Sequence, residues 1–462
     1  MSELLDGRHT TIMLAVVFFA TFMDGLDGSI VNVALPEIGS GFGVDTATVS
    51  WVAITYMMVL AGTLVAFARI AEDIGVRPVM ALGLSLFTVG SLLCGISPSF
   101  GVLIASRAVQ AVGAGMMAAT GPMCCVRHLP VSRLAFGLSI VTIGASVGFA
   151  LGPAIGGFIV DLTSWHWIFL INLPIGVIAV PLMLVAIPRT KERRRLSLDV
   201  SGTVVLFLAI ALVTFGVETL SDPGLPPISL MSIVAGIVLL AMFTRIERSK
   251  PNPLLKLSMF RRFDFTSIFA CLMLINMVVM GILYLIPFYG QTCLGKPSSE
   301  IGLFLLTSAM ITAILGLPVG RMSDRYGRRP FCVLSGLFSA AAFAAYVVFP
   351  ANMTDLILLG TMGLLGLSWA CVGGPMASRL VEHAKEDPSM ASSLTNEAYY
   401  IGGAVGTAAV AMLFSTFSGT SGIDILDVNR FQFVDGLVPT AAVLCALALV
   451  IAVLSLVVRD EK

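Results

Sequence analysis

Apolar and polar positions follow one another along this chain in long blocks, not in a fine period. Fourteen apolar runs lie at about 10–36, 46–68, 79–97, 100–122, 135–160, 166–187, 199–219, 229–246, 265–291, 301–320, 331–349, 354–378, 390–417 and 435–458. Each is close to or above the ~20 residues that an α-helix needs to cross a bilayer core, so the pattern predicts fourteen membrane-spanning helices. The longest polar stretch, Pro188 to Val200, is too short to fold by itself, and no sizeable soluble domain is expected. The first run, Thr10 to Pro36, is too long for the core of a secretion signal and lacks a small-residue cleavage site, so it is expected to remain as the first helix.

Basic residues give the expected orientation. With the N-terminus in the cytoplasm, the inner segments hold 24 of the 27 lysines and arginines. They sit at Arg8, at Arg69 and Arg77, at Arg127 and Arg133, between 189 and 195, between 245 and 262, between 321 and 329, at Arg379 and Lys385, and at Arg459 and Lys462. Only Lys296 and Arg430 fall on the other side, while Arg107 lies within the fourth helix. Positive charge collects on the cytoplasmic side of membrane proteins, so both termini are expected there. The basic linkers around 188–198 and 247–264 serve orientation and contact with anionic lipid headgroups. An odd number of helices would scatter these charges over both faces.

Composition narrows the function classes. Charged residues make up 12% of the chain, against about 25% in soluble domains, and 57% are hydrophobic, which excludes an ordinary globular enzyme. Net charge is zero and no basic block carries an aromatic platform, so no nucleic-acid partner is expected. The eight cysteines show no CxxC spacing and imply neither a disulfide framework nor a zinc site.

An internal repeat gives the domain plan. Gly320-Arg-Met-Ser-Asp324-Arg-Tyr-Gly327-Arg-Arg-Pro330 aligns without gaps with Ala68-Arg-Ile-Ala-Glu72-Asp-Ile-Gly75-Val-Arg-Pro78, at an offset of 252 residues. Two six-helix halves alone would repeat after about 190 residues, and the remainder matches two additional helices. The expected domains are therefore a six-helix bundle over 1–190, two extra helices with cytoplasmic linkers over 191–260, and a second six-helix bundle over 261–462.

Gly320 to Pro330 resembles the inner-loop signature of the major facilitator superfamily, Gly-x-x-x-Asp-Arg-x-Gly-Arg-Arg. Its glycines permit a tight turn between helix ends, and a carboxylate at Asp324 can accept hydrogen bonds from arginines and helix N-termini. Gly320, Asp324, Arg325, Gly327 and Arg328, with Glu72 and Asp73 of the first copy, form an expected conformational latch. The first copy is degraded, having Ala68, Glu72 and Val76 where the signature has glycine, aspartate and arginine. In helix 5, glycines four apart form a smooth stripe for close packing. The run Gly148-x-x-x-Gly152-Pro153-x-x-Gly156-Gly157 resembles the antiporter signature of exporters in this superfamily. Two further stretches, Leu26 to Pro36 and Trp165 to Gly176, resemble segments of its fourteen-helix drug:proton antiporters. The resemblance covers nearly the full chain. It implies the major facilitator fold and alternating access between two bundles, with a proton moving in as substrate moves out.

Ionisable residues are expensive to place within a membrane and are the best pointers to mechanism. Asp24 and Asp27 in helix 1, Arg107 in helix 4 and Glu397 in helix 13 are the candidates for proton coupling. Glu218, at the outer end of helix 7, is expected at the water interface. Asp24 and Asp27 are three residues apart, hence neighbours on one helical face, and two carboxylates so close in a low-dielectric site resist double ionisation. Asp27 is the expected principal proton carrier, with Asp24 tuning its affinity. Arg107 resembles the helix 4 arginine of superfamily exporters. Counted from the helix ends, Arg107 lies roughly 10 Å deep and Asp27 roughly 14 Å, so the two can pair. Such a pair is either part of the coupling machinery or a permanent structural ion pair. Glu397 is a second proton site, a counter-charge for cationic substrates, or a helix-end carboxylate facing inner water.

Trp51, Tyr56, Met57, Met116, Tyr399 and Tyr400 are candidates to line an adaptable cavity. No catalytic cluster and no Walker-type loop is present, so neither an enzyme nor an ATP-driven pump is expected, and no cofactor is implied beyond the proton as coupling ion. The expected function is proton-coupled export of amphipathic compounds, cationic or neutral, by a monomer in the cell membrane. A dedicated exporter of one metabolite and a non-transporting membrane sensor or scaffold are the alternatives.

Overall fold

The computed structural model describes residues 7–187, 200–221, 226–250, 259–327, 329–350, 353–383, 388–423 and 427–457. A backbone in lipid must satisfy its own hydrogen bonds, and the apolar runs accordingly become helices. Among the described residues, fourteen are long and apolar enough to cross a membrane. They are α1 (Gly7–Phe42), α2 (Thr46–Ile74), α3 (Val76–Gly95), α4 (Phe100–His128), α5 (Val131–Leu162), α6 (Trp167–Ala186) and α7 (Val200–Glu218). The series continues with α8 (Pro226–Ser249), α9 (Phe263–Thr292), α10 (Ser298–Tyr326), α11 (Arg329–Val348), α12 (Asp355–His383), α13 (Pro388–Ser418) and α14 (Arg430–Val457). We call the face of the N-terminus the near face, and the face carrying the α1–α2, α5–α6, α9–α10 and α13–α14 connections the far face.

Helices α1 to α6 pack on one another as a first bundle and α9 to α14 as a second. In the first, the glycine stripe of α5 receives α1. A Cβ at Gly144 would lie 2.7 Å from the Phe18 carbonyl oxygen, at Gly148 2.2 Å from that of Phe22, and at Gly156 3.0 Å from that of Ile30. At Gly152 it would meet Ser29 Oγ at 2.0 Å. The second bundle repeats this arrangement: Gly402 and Gly406 of α13 bring that helix against the Met273 and Met277 carbonyls of α9. The stripe of α5 is thus chiefly the joint between α1 and α5. Gly157 alone among the five turns towards the second bundle, where its Cβ would lie 2.3 Å from the Ser298 carbonyl oxygen.

The 252-residue repeat is written into the backbone. Gly75 and Gly327 end α2 and α10 with φ of +99° and +90° and ψ of 153° and 156°. Gly43 and Gly295, at the same offset, follow α1 and α9 with φ of +64° and +63°. Side chains rarely adopt such angles, so glycine is required at both pairs of turns.

The additional pair sits on the α2/α13 side. Phe207 of α7 fills the gap left at Gly62 of α2, and Phe215 packs on Trp51 with ring centroids 6.0 Å apart. Helix α7 also touches α13, whereas α8 packs on α7 and turns Met231, Val234 and Ile237 outwards, as a lipid-facing surface would. Glu218, expected at the water interface, is buried at the end of α7.

The bundles meet through their far halves and at mid-membrane. A Cβ at Gly302 of α10 would lie 2.1 Å from the Pro153 carbonyl oxygen of α5, whereas Gly316 and Gly320, in the near half of α10, face open space. The structure is closed at its far face.

These contacts predict stability effects. Gly148→Val must push α1 from α5 and should cost about 1–3 kcal/mol, seen as a lower thermal midpoint of the purified protein. Gly28→Ala, whose Cβ meets nothing within 4 Å, should leave the midpoint unchanged or raise it.

Candidate functional site

Among the described residues, Arg107 is the largest fully buried side chain, at 1% exposure. Helix α4 carries it into the centre of the first bundle, where three elements converge on it. Its Nη1 donates to Asp27 Oδ2 on α1 at 2.6 Å and to Gln110 Oε1 at 2.7 Å, and its Nε donates to the Val52 carbonyl of α2 at 3.0 Å. The guanidinium also lies 4.3 Å from the ring centre of Tyr56 and 5.5 Å from that of Phe169. Gln110, one helical turn from Arg107, completes the arrangement: its Nε2 donates to Asp27 Oδ1 at 2.8 Å and to Ser91 Oγ at 2.9 Å. Both oxygens of the Asp27 carboxylate are therefore occupied, and Asp27 is fully buried. The expected pairing with Arg107 is present, within one bundle.

Asp24 has a different environment. Three residues place it about 60° round the helix from Asp27, enough to turn it from the bundle interior to the seam between bundles. One oxygen accepts from Tyr56 Oη of α2 at 2.7 Å and the other from Tyr400 Oη of α13 at 3.2 Å. Asp24 is only partly buried. It joins the two bundles through neutral phenols, and Tyr56 links it to the Arg107 cluster by lying over the guanidinium.

Further aromatic contacts continue from this point. Tyr400 meets Tyr399 edge-on at 5.0 Å, Tyr399 stacks on Trp369 of α12 at 5.8 Å, and Trp369 meets Phe149 of α5 edge-on at 5.3 Å. Met57 of α2 abuts Gly403 of α13. Of the six proposed cavity residues, Tyr56, Met57, Tyr399 and Tyr400 gather at the seam between bundles. Trp51 faces the additional pair instead, and Met116 packs against Gly83 within the first bundle. Sequence reasoning passed over Trp369, Phe149 and Gln110. The signal for Gln110 was its position one turn from Arg107. The other two carried none.

Glu397 is buried in α13, and neither of its carboxylate oxygens has a hydrogen-bond partner among the described residues. It is not a helix-end carboxylate facing water. Ionised, it would have no donor to replace the water it lost, a cost of several kcal/mol.

The described residues cover most of the two latch loops. Arg69 pairs with Glu72 at 3.2 Å on the exposed near face, and Arg127 of α4 donates to the Glu72 carbonyl at 3.2 Å. Gly327 makes the expected turn and Arg325 is exposed over the Tyr326 ring. The Asp324 side chain and Arg328 lie outside the described residues. No group of three or more metal-ligating side chains occurs among the described residues.

Comparison with known proteins places this geometry. The family model described as Major Facilitator Superfamily matches residues 17–407. Proteins named multidrug resistance protein MdtD from Citrobacter koseri and Shigella sonnei are 32% identical over 342 residues, covering 73% of this chain and 71% of theirs. Among solved structures, an inward-facing bacterial homolog of the human lysosomal transporter Spinster aligns with a TM-score of 0.65 at 13% identity, over 99% of this chain and 100% of that one. A POT family transporter in complex with 5-aminolevulinic acid aligns at 0.66 and 15% identity, over 97% and 96%. At such identities the structural likeness speaks for the fold alone. With fourteen spanning helices, the repeated turns and a family match across most of its length, the chain belongs to the Major Facilitator Superfamily of membrane transporters.

Proposed function

We propose that this transporter exports small amphipathic organic compounds, cationic or neutral, in exchange for protons, by alternating access in the cell membrane with both termini in the cytoplasm. The observation that carries this reading is Asp24, a half-buried carboxylate at mid-membrane held by one phenol from each bundle. A group in that position is reachable from whichever side is open and touches both moving parts. Around it lie aromatic faces, which suit flat or cationic organic molecules. Near it is Asp27, and Glu397 lies one helical turn from Tyr400 on α13; with Arg107 already engaged by Asp27, the centre offers acidic groups in excess of basic ones. The names of the MdtD relatives agree with the substrate class.

The geometry favours Asp24 over Asp27, the carrier expected from the sequence, for the coupling role. Asp27 is enclosed by Arg107 and Gln110, and losing its charge would leave a guanidinium stranded. Asp24 can exchange a proton without breaking an ion pair. In this mechanism a proton and a cationic substrate compete for one carboxylate: substrate arriving from the cytoplasm displaces the proton inwards, and a proton arriving from outside displaces the substrate outwards. Glu397 is the second candidate for proton carriage, supported by its carboxylate oxygens on the other bundle, which have no hydrogen-bond partner among the described residues.

Proteoliposomes with an imposed pH gradient, loaded with ethidium or tetraphenylphosphonium, test the reading. Wild-type protein should accumulate the dye uphill, collapsing with the gradient, and dye movement indifferent to pH would sink the proposal. Asp24→Asn should lose uphill accumulation by at least about tenfold while remaining folded. Asp27→Asn should instead lose stability by about 3–5 kcal/mol, because it leaves a buried charge unpaired. If Asp27→Asn is stable and selectively uncoupled, the assignment reverses.

Orientation and latch have their own tests. A cysteine placed at position 325 should resist membrane-impermeant maleimide added outside intact cells, and labelling there would overturn the topology. Asp324→Asn should slow turnover while leaving expression and dye affinity largely intact, since the latch differs between states and not in the binding site. Transport at the wild-type rate would remove the latch role.

A further inference from the structure

Helix α10 begins without a cap of its own. Proline occupies its N-cap position, Pro297, and no side chain of its own segment accepts a hydrogen bond there. The 252-residue repeat makes the omission visible. The corresponding position before α2 is Asp45, whose Oδ1 accepts from Thr48 N at 2.8 Å and caps that helix from within. The first amides of a helix have no partner inside it and need one from elsewhere. For α10 that partner comes from the other bundle: Asp161, at the end of α5, accepts from Ser298 N at 3.1 Å with one oxygen and from Ser299 N at 2.8 Å with the other.

Both seams of the far face share this construction. On the α2/α13 side, the second oxygen of Asp45 accepts from Gly422 N, in the α13–α14 connection, at 2.8 Å. Tyr284 of α9 donates beside it to the Thr46 carbonyl. Each seam is therefore closed by an aspartate of the first bundle on backbone amides of the second. Among the described residues, neither aspartate makes an ion pair with a side chain of the other bundle. Lys296, the nearest basic group in sequence to the α10 start, is engaged by Glu300 and Asp355, each at 2.9 Å. The packing beneath Asp161 agrees with a contact built for close approach, since Gly157 and Gly302 allow the α5 and α10 backbones to touch directly below it.

We propose that Asp161 and Asp45 are the clasps of the far-face gate, with Asp161 the principal one because α10 depends on it for its cap. When the bundles part at this face, α10 loses its cap while α2 keeps its own. The free energy of capping is thereby converted into a preference for the far-closed state. Charge-assisted bonds to helix-terminal amides are geometrically strict, so a longer carboxylate does not substitute.

The inference rests on the orientation proposed above, and its test separates the two. Ser308, buried in α10 below the clasp on the wall of a small cavity between the bundles, is replaced by cysteine, and impermeant maleimide is applied to right-side-out and to inside-out vesicles. Labelling of the parent, with its native cysteines, is subtracted. Asp161→Ala should raise the labelling rate in right-side-out vesicles about tenfold, Asp161→Glu should do the same, and Asp45→Ala should raise it less. Pro297→Ser supplies α10 with a local cap. It should also speed labelling while leaving the thermal midpoint equal or higher, a result that misfolding cannot imitate. Acceleration confined to inside-out vesicles would overturn the orientation and leave the clasp standing. Unchanged labelling from both sides in Asp161→Ala and Pro297→Ser would overturn the clasp.

Discussion

A guanidinium buried in a lipid-spanning bundle has to be neutralised where it stands, and the centre of this transporter is organised around how Arg107 meets that demand. Stranding such a charge costs several kcal/mol. Here Asp27, Gln110, the Val52 carbonyl and the Tyr56 ring surround it and draw α1, α2 and α4 into one unit. The demand consumes Asp27. Asp24, turned about a sixth of a revolution away, is left outside the cluster and free to face the second bundle. Two acids that look alike in sequence therefore have opposite characters, one closed within a bundle and one shared between bundles.

The same division runs through the packing. Within each bundle, glycines bring helix backbones into direct contact, α1 with α5 and α9 with α13. Such joints are short-range and dense, and they make each bundle behave as one body. Between the bundles a glycine joint also occurs, where Gly157 and Gly302 bring α5 against α10, and polar contacts are added to it: phenols on Asp24, and carboxylates on the backbone amides of Ser298, Ser299 and Gly422. Hydrogen bonds of this sort can exchange for water when a seam opens. Rigid bodies joined by exchangeable polar contacts are what the proposed alternating mechanism requires.

Much of this was legible in the sequence because lipid imposes simple rules. Apolar run lengths gave all fourteen helices, and a single gapless alignment gave the offset that recurs in the glycine turns. Helix ends were read short: the tenth span was expected over 301–320, yet α10 runs from Ser298 to Tyr326, since polar residues such as Arg325 continue a helix into the headgroup region. The Asp27–Arg107 pair was reachable by counting depth along two helices. What could not be read were relations across the seam. Nothing near Tyr400 says that its hydroxyl meets Asp24, 376 residues earlier in the chain. Nothing near Asp161 says that it caps a helix in the other bundle. Glu218 belongs here too: it is buried, and Tyr284 of α9, far away in sequence, lies close enough to feel its charge.

The central claim, that a proton and a substrate exchange at Asp24, is tested most directly by proton release. Purified protein in weakly buffered detergent, followed with a pH-sensitive dye, should release protons when ethidium or tetraphenylphosphonium is added. The account predicts that Asp24→Asn abolishes this release while Glu397→Gln retains it. Full release from Asp24→Asn, with loss in Glu397→Gln, would contradict the account and place the exchange in the second bundle.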